Sequence, residues 1–361
     1  MSLKIRGDSV RPSDMTGAAD SGSGPSELSE STASALKEDI LAPRFYTTNF
    51  AKLDKMDFSN LQAEFETMLG EFRKDYNKGH FIPTEEFKAD FPDLPREEFE
   101  EFLRRSCLGE FSGCLLYREI SSRSTNPLLK QFFKFLARDE GRHASFLTHT
   151  MRDLDIKFDL GFLADRKKRY NFPPKIIFYT VYLSECIGYC RYITIFDQLE
   201  AHPEYRFHPI FRWFGRWCED EHRHGHLFAL FMKSQSKQVL EGPINHALIR
   251  FFTLTVYITM FLRDAQPAAA MLYGKMGFDP RQYDLDVIKK CDEEASTVWG
   301  FKFQVDNPKF VKQLDTMAAN NRKLVALKEQ TGVLSKVRRA GIKASNMACI
   351  ARLFALKVEK V

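Results

Sequence analysis

The chain has 361 residues, 33 of them Phe, seven Cys and a formal net charge of +5. That length gives ample capacity for a core, and the heavy use of Phe with few β-branched runs points to helices packed through bulky rings. The charge belongs to a tail: Lys336 to Val361 carries seven Lys or Arg against one Glu, leaving the remainder at about −1, which argues against a nucleic-acid-binding core.

Residues 1–40 are Ser/Gly-rich with almost no large apolar residues and are expected to be disordered. No signal-peptide core is visible, and Asp8, Asp14, Asp20, Glu27 and Glu30 fit poorly with an organelle transit peptide. The cysteines include no CxxC pair, and Cys107, Cys114, Cys186, Cys190 and Cys218 fall on apolar helical faces, so they read as small packers in a reducing compartment. A cytoplasmic, bacterial protein is the simplest inference. Order is expected from about Leu41, with a first helix starting at a capping box, Ser59-Asn60-Leu61-Gln62, and an apolar stripe of Leu61, Phe65, Met68, Phe72 and Tyr76. Pro83, Pro92 and Pro95 then mark an irregular connection.

Four long helices follow, each with a proline near its start: about Pro95 to Ser121, Pro127 to Arg152, Pro174 to Leu199 and Pro209 to Ser234. Their apolar stripes run straight through an acidic residue, Glu110, Glu140, Glu185 and Glu221 respectively. The pentapeptide Asp-Glu-x-Arg-His occurs twice, at Asp139-Glu140-Gly141-Arg142-His143 and Asp220-Glu221-His222-Arg223-His224. A Glu and a His three residues apart leave a helix on one face. Leu108-Gly109-Glu110-Phe111-Ser112-Gly113 also aligns with Leu183-Ser184-Glu185-Cys186-Ile187-Gly188. Glu110 precedes Glu140 by 30 residues and Glu185 precedes Glu221 by 36, the length of a helix, a short turn and a return to the same level. The expected architecture is therefore all-α: two helical hairpins related by pseudo-twofold symmetry, closing a ferritin-like four-helix bundle.

Beyond it, Phe251 to Leu262 is too short an apolar run to span a bilayer and reads as a buried helix, so no transmembrane segment is expected. Further amphipathic helices are expected from about Asp284 to Gln330, broken at Asp306-Asn307-Pro308. The domains are thus a disordered 1–40, a ferritin-like domain with additional helices over 41–335, and a basic amphipathic tail over 336–361. In that tail Val337, Ala340, Ala344, Met347, Ala351, Phe354 and Val358 form an apolar stripe flanked by Lys336, Arg339, Lys343 and Arg352, which suits an anionic membrane or docking on the same protein.

One buried Glu is ordinarily a paired structural charge, and a lone ExxH is weak. Four Glu and two His in the order E, ExxH, E, ExxH on core faces are different, because uncompensated buried carboxylates cost several kcal/mol each. Two divalent cations neutralise four carboxylates, so Glu110, Glu140, His143, Glu185, Glu221 and His224 are the expected ligands of a dimetal site. Glu219 and His222 offer a competing register on the fourth helix, but their neighbours are polar, whereas Glu221 sits among Trp217, Phe214 and Phe228. Asp139 and Asp220 are expected to hold the distal imidazole nitrogens of the His on the facing helix, with Arg142 and Arg223 balancing them. The remaining histidines read as surface or structural. Hard carboxylates with two imidazoles suit iron or manganese. Such a site serves hydroxylation, desaturation, radical generation or iron storage, and spacing alone does not choose.

Three stretches narrow the choice: Leu41-Ala42-Pro43-Arg44-Phe45-Tyr46-Thr47-Thr48-Asn49-Phe50, Phe72-Arg73-Lys74-Asp75-Tyr76-Asn77 and Arg105-Ser106-Cys107-Leu108-Gly109-Glu110-Phe111-Ser112-Gly113. With Asp139 to His143 and Cys218 to His226, they closely resemble the aerobic magnesium-protoporphyrin IX monomethyl ester cyclase family, over roughly residues 40–335. The resemblance implies a diiron monooxygenase that makes the fifth ring of chlorophylls, with the same six residues as iron ligands. It implies O2 as co-substrate, a flat magnesium porphyrin as substrate, and electrons from NADPH through an external reductase or ferredoxin, since no nucleotide fingerprint or Cys cluster is visible. An auxiliary cyclase subunit and a peripheral contact with the photosynthetic membrane are further candidate partners. A ferritin-like storage protein is the alternative, though it would not need about 100 ordered residues after the bundle. A radical-generating reductase subunit is a third, whose first ligand is usually Asp.

Overall fold

A computed structural model of the chain describes residues 28–37, 45–328 and 330–361. The longer helices, in chain order, are α1 (Glu30–Lys37), α2 (Gln62–Lys74), α3 (Arg96–Arg123), α4 (Pro127–Asp153), α5 (Leu160–Arg166), α6 (Pro174–Ala201), α7 (Phe214–Ser234), α8 (Pro243–Asp264), α9 (Pro267–Lys275), α10 (Pro280–Trp299), α11 (Pro308–Ala326) and α12 (Val333–Ala355). Four three-residue strands are β1 (Tyr46–Thr48), β2 (Tyr170–Phe172), β3 (Phe301–Phe303) and β4 (Val358–Lys360). Prolines stand at the first turn of α4, α6, α8, α9, α10 and α11, where a missing N–H costs nothing. The chain divides into two compact units.

The first unit comprises the described residues up to Asp54 with Asp75–Asp90 and Phe99–Phe172. Its centre is the α3/α4 hairpin. Cys107 Sγ donates to Ala144 O, Cys114 Sγ to Ala137 O and Ser121 Oγ to Lys130 O. Each advance of seven residues on α3 meets a retreat of seven on α4, the signature of antiparallel helices, and it brings Glu110 level with Glu140. Asn126 caps α4 by accepting from the backbone N–H of Leu128 and Leu129. β1 pairs in parallel with β2, Tyr46 opposite Tyr170 and Thr48 opposite Phe172.

The helix α1 lies where disorder was expected. Its small residues, Thr32 and Ala35, are buried. Ala35 packs in a cluster with Phe45, Leu108 and Leu163, and Thr32 Oγ1 accepts from Asp159 N at 3.0 Å. Short side chains allow this close approach, and they are also what made the segment look featureless. Residues 1–27 and 38–44, including the expected start of order at Leu41, lie outside the described residues.

The second unit comprises Lys55–Lys74, Phe91–Glu98 and Pro173–Val361. Its α6/α7 hairpin repeats the register of the first: Tyr192 packs on Phe214 and Trp217, Phe178 on Phe228 and Phe231, and Cys218 Sγ reaches Tyr189 O. Glu185 thereby comes level with Glu221. The helix expected from Ser59 begins as a 3-10 turn, Ser59–Leu61, without the side-chain cap expected of Ser59, and Asp57 Oδ1 accepts from Ser59 N at 2.9 Å. Of its expected stripe Phe65 and Phe72 are buried, while Tyr76 lies beyond the helix end and is exposed.

α8 is longer than the apolar run that marked it, and by length and composition alone it could cross a membrane. Here it buries Leu254, Tyr257 and Phe261 within the second unit, beside α6, α10, α11 and α12. The C-terminal tail docks on the same unit. α12 buries Cys349 and Leu353, Arg250 holds Phe354 O and Leu356 O, and β4 pairs antiparallel with β3. The stripe Val337, Ala340, Ala344, Met347, Ala351 and Phe354 is on the other face, exposed.

Candidate metal centre

In the first unit α3 presents Glu110 and α4 presents Glu140 and His143, all buried, with one donor atom from each lying within 4.8 Å of the others. His143 Nδ1 lies 3.4 Å from Glu110 Oε2. The Phe81 ring stands edge-on over the imidazole, centroids 4.8 Å apart.

The second unit builds the same triad from α6 and α7. Glu185, Glu221 and His224 are buried with donor atoms within 4.8 Å of one another, and His224 Nδ1 lies 3.5 Å from Glu185 Oε2. Phe72 stacks on the His224 ring with centroids 6.2 Å apart.

Both triads suit a transition metal. Two donors each about 2.1 Å from one ion and roughly a right angle or more apart fall about 3–3.5 Å from each other, the separation seen in both units. Two buried carboxylates beside one buried imidazole form a hard, anionic donor set of the kind that holds iron or manganese. The rival register does not assemble: Glu219 is exposed and paired with Arg216 at 3.1 Å, and His222 lies against His226 and Tyr189.

The neighbouring charges are arranged differently in the two units. Arg223 donates to Asp220 at 2.7 Å, as the sequence suggests. Arg142 instead makes its main pair with Asp75, at 2.5 and 2.9 Å, and reaches Asp139 only at 3.5 Å. Asp139 is gripped by Arg138, at 2.8 and 3.1 Å. Sequence reasoning missed Arg138 because the residue before the second pentapeptide is Glu219, so the repeat gave no signal. It missed Asp75 because that residue lies outside the four helices; its backbone is left-handed, φ 50°. Also unforeseen is the donation of Trp217 Nε1 to Glu221 Oε1 at 2.7 Å. His208 is structural: its Nδ1 accepts from Ile210 N at 3.1 Å, and burial pushes it down to about 3.

Residues 101–232, which carry all six donors, match the rubrerythrin family. Much closer relatives are proteins named magnesium-protoporphyrin IX monomethyl ester [oxidative] cyclase. That of Synechococcus elongatus is 48% identical over 306 residues, 83% of this chain and 85% of its own. Those of Pyropia yezoensis (48%, covering 80% and 83%) and Gloeobacter violaceus (45%, covering 92% and 95%) agree with it. The chain belongs to this oxidative cyclase family. No solved structure matches it. The rubrerythrin match runs from α3 to α7, so the cyclase fold is ferritin-like and iron-binding, with α8 to α12 as C-terminal additions.

Proposed function

We propose that the two triads close into one diiron centre, and that the chain is the O2-dependent cyclase that converts magnesium-protoporphyrin IX 13-monomethyl ester to divinyl protochlorophyllide. The observation that carries this is the duplicated Glu, Glu, His triad, buried in each unit of a chain that belongs to the oxidative cyclase family. When bound, the iron pair supplies the O2-dependent two-electron oxidation that an unactivated methylene requires and that no acid or base side chain can provide. Glu110, Glu140, Glu185 and Glu221 neutralise two divalent ions, and His143 and His224 complete the donor set. Asp139 and Asp220, each next in sequence to a ligating Glu, are kept in charge balance by Arg138, Arg142 and Arg223. Phe81 and Phe72 cover the imidazoles and keep water from them.

The substrate passes through an alcohol and a ketone on its methyl propionate side chain. The ketone acidifies the carbon between itself and the ester, and a third oxidation joins that carbon to the macrocycle. Each step uses O2 and electrons from outside, so a ferredoxin or an NADPH-linked reductase docks, with an auxiliary cyclase subunit as a further partner. α12 places its exposed apolar stripe between Lys336, Arg339, Lys343 and Arg352, a surface suited to a peripheral hold on anionic photosynthetic membrane. Turnover under isotopically labelled O2 tests the reaction. The alcohol is expected to carry oxygen from O2; oxygen from solvent water would mean a hydratase-like route and end the monooxygenase reading.

A further inference from the structure

Apart from the two triads, three buried thiols meet in the second unit. Cys186 and Cys190 stand on α6 and Cys291 on α10, with their sulfurs within 4.8 Å of one another. Cys186 Sγ and Cys291 Sγ are 3.4 Å apart. A disulfide needs about 2.05 Å between sulfurs and about 3.8 Å between Cβ atoms. Cys186 and Cys190 sit one turn apart on the same helix, where Cβ atoms are about 5–6 Å apart, so a bond between them would unwind α6. Cys186–Cys291 and Cys190–Cys291 both span two helices, and the 3.4 Å separation of Cys186 and Cys291 singles out the first.

The cluster is also reached by a cavity of about 70 Å³, lined by Cys186 together with Tyr182, His222 and Glu294, enough for roughly two water-sized molecules.

We propose that Cys186 and Cys291 are a peroxide-oxidisable pair that closes a disulfide between α6 and α10. The Cys186 sulfur attacks one oxygen of hydrogen peroxide and the O–O bond breaks. The second oxygen leaves as water, taking the thiol proton. Cys291 then attacks the sulfenic sulfur, the S–O bond breaks and a second water leaves with the Cys291 proton. Two thiols lose two electrons and one peroxide becomes two waters. A soft metal held by all three sulfurs is the competing use of the cluster. It would leave net negative charge among buried residues, whereas a disulfide is neutral. The proposal does not depend on the iron reading, because the oxidant is added from outside.

The full-length chain is treated with hydrogen peroxide in the presence of an iron chelator, denatured without reductant, alkylated and mapped by mass. Two of the seven cysteines are expected to be protected, in a peptide linking Cys186 to Cys291. Cys291→Ser should abolish the link, and Cys349→Ser should leave it intact. Should Cys291→Ser fail to fold by circular dichroism, Cys186→Ala gives the same readout. Seven alkylated thiols after peroxide would overturn the proposal. So would a link made by Cys190, or copper or zinc bound by the untreated chain and released by Cys291→Ser.

Discussion

Trp217 Nε1 donates to Glu221 Oε1 at 2.7 Å, one helical turn along α7, and both side chains are buried. The corresponding position before Glu140 is Leu136, which has no donor to offer. The two triads are therefore alike in their donors and unlike in their support. One carboxylate oxygen of Glu221 is already committed to an indole, which fixes its rotamer. Trp217→Phe keeps a ring in the aromatic packing and removes the donor. Iron affinity is expected to fall about 10–100-fold, the usual cost of losing an outer hydrogen bond to a ligand. Competition with a chelator measures it, and affinity equal to that of the parent would show the hydrogen bond to be incidental.

Glu185 is the most direct test of the ligand set. Glu185→Ala should lower bound iron below two per chain and abolish turnover, with some loss of helix stability. Metal analysis of the purified variant decides the matter. Two irons retained would mean that the ligands are other residues.

Asp75 is a test of a support that lies outside the four helices. Asn tolerates the left-handed backbone that Asp75 adopts, so Asp75→Asn removes charge without adding strain. It weakens the two-pronged pair with Arg142 and should cost about 1–2 kcal/mol. Unfolding by denaturant reads this directly. The companion variant Asp75→Ala should lose more, because Ala also pays for the backbone conformation.

Asp292 gives a pH dependence. It is buried on α10, where it accepts from Phe303 N at 2.8 Å and from Tyr257 OH at 3.2 Å, and burial pushes its carboxyl up to about 7. Between the usual carboxylate range and pH 7 the folded chain keeps a proton that the unfolded chain has released. The stability this contributes is present below about pH 4 and is lost as pH rises through 7. Asp292→Asn cannot ionise. Its stability relative to the parent should therefore improve from pH 5 to pH 8, by up to roughly 3 kcal/mol. Parallel unfolding midpoints for the two proteins would contradict the assignment.

The C-terminal helix can be tested without undocking it. Truncation after Leu334 would also remove Cys349, Leu353 and β4, all of which pack on the second unit. Met347 is 64% exposed on the opposite face, so Met347→Glu should spare the fold. Sedimentation with anionic vesicles is expected to drop for this variant, and binding by the parent should weaken with salt, at about 1 kcal/mol per basic residue near the surface. Equal sedimentation would mean that the stripe does not meet lipid.

What the sequence determined by itself was the local periodicity and its interruptions. The apolar stripes of α3, α4, α6 and α7, each crossed by a Glu, follow from side chains three and four apart sharing a face, and no tertiary information is needed to see them. Prolines placed the starts of α3, α4 and α6 for the same reason, since their effect is confined to one turn. Pro209 instead opens a 3-10 turn, and α7 begins only at Phe214. The repeated pentapeptide gave the triads, and the family stretches gave the chemistry. Tertiary structure alone decided which charges meet. Arg142 had two carboxylates within reach and took Asp75, more than 60 residues away, leaving Asp139 to Arg138. It also decided which face of α12 turns inward: Cys349 and Leu353 are buried and the more apolar-looking stripe is exposed, because docking depends on the shape of the receiving surface. The same holds for α1, where Thr32 and Ala35 are buried by what they touch. Such pairings depend on distances between elements, which hydrophobic spacing along a chain does not encode.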